Sequence, residues 1–136
     1  MTETLRPEPS RTFRWVVLIF ISLTMFGNYY VYDCIAPIAD LLAKQLGFSE
    51  SNIGLLQAIY SIPNVFMVLI GGYVVDRIGT RKAIFIFGTL CFIGAGVTTL
   101  SATLSVMATG RLVFGLGAES LIVAVTTCLL YTSRCV

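Results

Sequence analysis

Gly71-Gly72-Tyr73-Val74-Val75-Asp76-Arg77-Ile78-Gly79-Thr80-Arg81-Lys82 joins two long uncharged stretches, and its reading decides the fold. Gly72 removes a side chain near the end of the first stretch, where another helix can approach closely. Asp76 sits at the boundary of an apolar segment, where an unpaired charge is costly and a partner is expected. Gly79 permits a tight turn. Arg81 and Lys82 add positive charge that holds such a turn on one side of a bilayer. The alternative is a plain turn with basic flanks.

The flanking stretches decide between water and lipid as solvent. Ser51 to Val75 carries no charge, and neither does Ala83 to Gly110. A bilayer-spanning helix needs about 20 apolar residues. The second stretch is too long for one span and is expected to break at Ser101-Ala102-Thr103-Leu104-Ser105. A further uncharged run, Trp15 to Tyr32, precedes them and continues past Asp33. Four spans follow, near residues 14–38, 52–75, 83–101 and 106–127. Residues 1–13, with Pro7 and Pro9, read as a disordered tail. Composition agrees. Of the 136 residues, 57% are hydrophobic and 12% charged, with a mean hydropathy of +0.89. A soluble domain carries about 25% charged residues. The fold class is an all-α polytopic membrane protein, with the lipid bilayer as its surroundings.

Charge placement suggests an orientation. Arg6, Arg11 and Arg14 precede the first span, and Arg77, Arg81 and Lys82 lie between the second and third. The positive-inside rule puts both segments, and the N-terminus, in the cytoplasm. A cleaved signal peptide is the competing reading of the first run, but that run lacks a clear small-x-small site. Between the first two spans, Gly47 reads as a turn, with Ser49 or Ser51 as the following helix cap.

Composition also narrows the chemistry. Net charge is +2, too weak for a nucleic-acid surface. There is no His, so Ser-His and Cys-His nucleophile pairs are excluded within the chain. Cys34, Cys91, Cys128 and Cys135 form no C-x-x-C pair and read as small apolar packers. No metal site, cofactor or enzyme activity is expected.

Ionisable residues inside spans are functional candidates by default. The fourth span contains Gly110-Arg111-Leu112-Val113-Phe114-Gly115-Leu116-Gly117-Ala118-Glu119-Ser120. Glu119 falls about 20 Å along that helix, near the midplane. Arg111 lies two turns earlier, rotated by about 80°. The two are expected to line one cavity without pairing directly. Alternatively, Arg111 snorkels to the interface and Glu119 sits in a structural pair. Glu119 suits either proton transfer or recognition of an ammonium group. Tyr29 and Asp33 share a helical face, and Asp33 is expected to pair with Arg111. Pro63 lies about 15 Å into the second span and should kink it, with polar Asn64 beside it. Gly115 and Gly117 are expected to admit a neighbouring helix, as are Gly88, Gly94, Ala95 and Gly96 in the third span.

The spacing G-x-x-x-D-R-x-G-x-R-K, placed between spans two and three, resembles the signature loop of the major facilitator superfamily of secondary transporters. Thr80 stands where that family usually has a basic residue. The resemblance implies that Gly72, Asp76, Arg77, Gly79, Arg81 and Lys82 form a gate, with Gly72 facing helices of a second half. R-x-x-x-G-x-G in span four also fits. Tyr29-Tyr30-Val31-Tyr32-Asp33, Tyr60-Ser61-Ile62-Pro63-Asn64-Val65 and Glu119-Ser120 are similar to one branch, the lysosomal dipeptide uniporters and their bacterial relatives. That branch implies that Glu119 holds a peptide amino group, while a basic residue of a fifth span holds the carboxylate.

The expectation is therefore the first part of a twelve-helix transporter in a bacterial inner membrane. It moves a small polar solute by alternating access, either as a uniport or coupled to protons, and Glu119 permits both. Arg111, Asp33, Tyr29 and Asn64 are further pathway candidates. Cys128 to Val136 looks like the translation of two inverted transposase mosaic ends from a sequencing adapter, so the C-terminal helices of the protein are expected to be missing. The alternative is a complete four-helix module acting as an oligomeric exporter or an assembly subunit.

Overall fold

Two prolines shape the first half of the chain. A proline inside a helix removes one backbone donor, and its ring crowds the carbonyl four residues back. Helix α1 (Arg11–Asp33) accordingly gives way to α2 (Ile35–Leu46) at Cys34, just before Pro37. Helix α3 (Glu50–Ala58) gives way to α4 (Ser61–Ile78) at Ile59 and Tyr60, just before Pro63. The third and fourth rods are unbroken: α5 (Thr80–Leu100) and α6 (Leu104–Ser133). This computed structural model describes residues 10–133. The helices form four segments long and apolar enough to cross a membrane: Arg11–Leu46, Glu50–Ile78, Thr80–Leu100 and Leu104–Leu130.

Local chemistry explains the ends. Ser10 caps α1 through its Oγ, which accepts from the Phe13 amide at 3.3 Å. Helix α1 thus starts within the stretch expected as tail, and residues 1–9 lie outside the described ones. Gly47 ends α2 in the left-handed region (φ 65°), with the Phe48 amide returning to the Leu42 carbonyl at 3.3 Å. Of the two candidate caps, Ser49 is used; its Oγ accepts from the Asn52 amide at 3.3 Å. Ser101–Thr103 makes the short break expected between the last two spans. The end of the suspected adapter segment, residues 134–136, lies outside the described residues.

Gly79 turns the chain between α4 and α5 with φ 83° and ψ 151°, a combination that side chains avoid. Gly79→Ala is expected to cost about 1–3 kcal/mol, although a methyl there would meet no neighbour within 4 Å. Thermal unfolding of the detergent-solubilised protein checks this.

Helix α6 is the centre of the bundle. Its buried Phe114, Ala118, Leu121, Ala124 and Val125 pack with Val75 of α4 and with Ala83, Phe87 and Cys91 of α5. A second cluster joins Ile35 and Leu42 of α2, Leu56 of α3 and Met107 of α6. Helix α1 contributes one buried side chain, Asn28. Its large apolar residues, among them Trp15, Phe20 and Phe26, are exposed, as lipid-facing or helix-facing residues in a bilayer would be.

Close helix approach occurs at particular glycines. A Cβ on Gly94 would strike the Phe114 backbone, and one on Gly117 would lie 2.8 Å from Cys91 Sγ. Gly115 abuts the Tyr60 carbonyl and lies 2.9 Å from Pro63 Cγ, measured from the same added atom. Gly115, Gly117 and Pro63, which were expected at helix contacts, all lie at such close approaches. A methyl on Gly88 or Gly96 meets nothing within 4 Å among the described residues. These two glycines lie on other faces of α5. Likewise the close approach on α4 is at Gly71, against Ser120, and not at Gly72, which is open.

Candidate functional site

The site grows from the two proline breaks, because both put polar groups against α6. At the second break, Asn64 follows Pro63 and faces α6. Its Nδ2 donates to Glu119 Oε1 at 3.2 Å. Its Oδ1 is buried and has no partner. Glu119 is half-buried, so one carboxylate oxygen is committed while the group keeps access to a ligand. One residue further on, Ser120 is fully buried and donates to the Met67 carbonyl at 2.9 Å. This bond and the small Gly71 fix the height of α6 against α4, and with it the depth of Glu119.

An aromatic group lies beside this pair. Tyr60, buried at the break, meets Tyr32 edge-to-face with ring centroids 4.5 Å apart. Tyr29 meets Tyr32 at 6.4 Å. Tyr60 lies one helical turn before Asn64, and its carbonyl abuts Gly115, one turn before Glu119. Tyr32, Asp33, Ala36, Gln57 and Tyr60 line a cleft of about 240 Å³. Tyr29 and Asp33 also share a larger groove of about 600 Å³ with Phe26 and Tyr30. Their common face was expected from their spacing.

Arg111 departs from expectation. It does not pair with Asp33. Its Nη1 donates to the Val31 and Tyr32 carbonyls, both at 3.1 Å, and its Nη2 lies 3.7 Å from Cys34 Sγ. Asp33 is exposed. Arg111 borders a void of about 130 Å³ with Tyr30, Cys34, Thr98, Thr99 and Phe114. Glu119 is not among the residues that line the void beside Arg111. Cys34 is also more than an apolar packer, since its thiol donates to the Val31 carbonyl at 3.0 Å.

The loop that opened the sequence reading lies elsewhere. Asp76 is 12 residues beyond Asn64 on α4, about 18 Å along the axis. Asp76, Arg77, Gly79, Arg81 and Lys82 are exposed. The Arg77 guanidinium lies over the Tyr73 ring, 5.4 Å from its centroid. The partner expected for Asp76 is not found among the described residues.

Sequence reasoning missed Tyr32, Tyr60 and Gln57 as cleft residues, and Ser120 as the brace of Glu119. Tyr60 had a signal in its position three residues before Pro63, where the helix must open. Asn28, buried with an unpartnered Oδ1, was also missed.

Comparison with known proteins places this arrangement. The model of the Major Facilitator Superfamily matches residues 21–132. The lysosomal dipeptide transporter MFSD1 of Mus musculus is 37% identical over 125 residues, covering 88% of this chain and 27% of that protein. Its Homo sapiens counterpart is 36% identical with the same coverage. The hexuronate transporter of Escherichia coli (strain K12) is 26% identical over 111 residues, covering 82% of this chain and 26% of that protein. The chain thus spans about a quarter of the length of these relatives. No solved structure matches it. The family match runs through all four membrane segments, from α1 into α6, and the chain therefore belongs to the Major Facilitator Superfamily, whose members here are transporters and not enzymes.

Proposed function

We propose that these four spans are the opening part of a transporter that carries small amino-bearing solutes, dipeptides first among them, by alternating access. The observation that carries this reading is the Asn64–Glu119 hydrogen bond between two membrane segments. A carboxylate inside a span needs a reason. One oxygen is held by Asn64, and the rest of the group is free to accept from an ammonium. The unpartnered Asn64 Oδ1 is a second acceptor beside it. Tyr32, Tyr60 and Asp33 line the neighbouring cleft, and Tyr29 lines the larger groove that shares Asp33 with it. The similarity to a dipeptide transporter supports the same solute class.

In this reading Asp76, Arg77, Gly79, Arg81 and Lys82 form a cytoplasmic gate, and Gly72 is left open for a helix of the second half. The N-terminus is cytoplasmic and the membrane is a bacterial inner membrane. Glu119 allows either uniport or coupling to protons. The spans that its relatives carry beyond this region would complete the pathway and bind the solute carboxylate.

Uptake by the full-length gene product in proteoliposomes tests the substrate class. Dipeptides with a free amino group should be taken up saturably and compete with one another. N-acetylated dipeptides should compete about tenfold less well, having lost a charge-assisted hydrogen bond. Equal competition by the acetylated peptides, or uptake of organic acids alone, would overturn the reading.

A further inference from the structure

Arg111 is the largest fully buried side chain among the described residues, at 1% exposure. A buried guanidinium in a membrane helix needs partners that justify its depth. Its partners are backbone carbonyls, Val31 and Tyr32, on the last turn of α1. That turn ends because Pro37 offers no amide hydrogen and crowds the helix above it. Carbonyls at such an end lose their partners within the helix, and lipid offers none in exchange. The Cys34 thiol reaches back to the Val31 carbonyl at 3.0 Å, and Arg111 Nη2 closes on the same sulfur at 3.7 Å.

We infer that Arg111 is a positioning residue that caps the proline break of the first span and pins it to α6, and not a charge that the solute or a proton visits. Tyr32, whose carbonyl it holds, carries the ring that packs on Tyr60. Eight residues along the same helix, Glu119 engages Asn64 just past the other break. Helix α6 therefore braces both breaks, and Arg111 sets where the Tyr32 side of the cleft stands relative to Glu119. One nitrogen, Nη1, serves both carbonyls while Nη2 faces the Cys34 sulfur and Nε is buried without a partner; a Lys has a single nitrogen and cannot hold the carbonyls and the sulfur in the same way. This inference is independent of the solute class.

The test uses the full-length protein in membranes, with Cys34 as its single cysteine, alkylated by a membrane-permeant maleimide. Cys34 is half-buried and borders the 600 Å³ groove. Arg111→Met should speed labelling about tenfold, the weight of one charge-assisted hydrogen bond. Arg111→Lys should fall in between. Pro37→Ala removes the ring that crowds the Asp33 carbonyl and lets the helix straighten, so that the Ile35 and Ala36 amides can reach the Val31 and Tyr32 carbonyls in place of Arg111. Arg111→Met/Pro37→Ala should therefore return labelling and uptake towards those of Pro37→Ala alone. A pathway charge would not be rescued by removing a proline. Labelling unchanged in Arg111→Met, or a double variant no better than the single, would overturn the inference. If Arg111→Met fails to fold, recovery of folded protein on adding Pro37→Ala supports it, and failure to recover overturns it.

Discussion

Glu119→Gln in the full-length protein should reduce uptake of amino-bearing solutes by about thirtyfold or more while leaving the protein folded. The substitution is nearly isosteric. A Gln oxygen can still accept from Asn64 Nδ2, now at 3.2 Å from Glu119 Oε1, so the link between α4 and α6 survives. What disappears is the negative charge. An ammonium that has left water for a membrane cavity then finds only neutral dipoles. Removing one partner of such a buried pair costs about 2–5 kcal/mol, and the lower bound corresponds to about thirtyfold. Glu119→Asp should be impaired differently. It keeps the charge but shortens the reach by one methylene, so it weakens the Asn64 contact and raises KM more than it lowers maximal uptake. Proteoliposome uptake with Glu119→Gln unchanged at every pH would remove Glu119 from the pathway.

The parts of this site that were legible in the sequence share one property: they depend on spacing along a single helix. Tyr29 and Asp33 fall on one groove because residues four apart share a face. The Pro63 kink and the Gly79 turn follow from covalent restrictions on the residues themselves. Glu119 stood out because charge is expensive in lipid. Contacts across the bundle were not legible. Asn64 and Glu119 are 55 residues apart, and no local pattern pairs them. Asp33 was the natural candidate for Arg111 because side-chain charges are visible in a sequence. The carbonyls that Arg111 uses carry no residue signature, and they become available only after Pro37 has opened the helix. The loop from Gly72 to Lys82 is a related case. Its spacing reads clearly, yet Asp76 finds no partner among the described residues.

Glycine is where a sequence reading most needs a structure, and the third span gives the sharpest test. Gly94 and Gly96 sit two residues apart on α5, separated by Ala95 alone. At Gly96 an added methyl meets nothing within 4 Å. At Gly94 it meets the Phe114 amide nitrogen, lies 2.6 Å from Phe114 Cα and lies 2.9 Å from the Gly110 carbonyl oxygen. Those atoms are backbone of α6 and cannot swing aside as a side chain can. The contact is also reciprocal, since a methyl on Gly110 would lie 2.9 Å from the Gly94 carbonyl oxygen. Helix association in lipid relies on such close packing, because no hydrophobic drive separates helix from lipid tail. Two effects then oppose each other. Alanine is the better helix former by about 0.8–1 kcal/mol, and this term is the same at both positions. Overpacking costs about 1–3 kcal/mol, and it applies at Gly94 alone. Gly96→Ala should therefore be neutral or slightly stabilising. Gly94→Ala should lower the thermal transition and the yield of monodisperse protein in detergent, and Gly94→Leu should abolish both. Since α6 carries Glu119 as well as its partners in the α5 seam, surviving Gly94→Ala protein should also lose uptake. Equal melting behaviour of the two alanine variants would mean that α5 does not present Gly94 to α6.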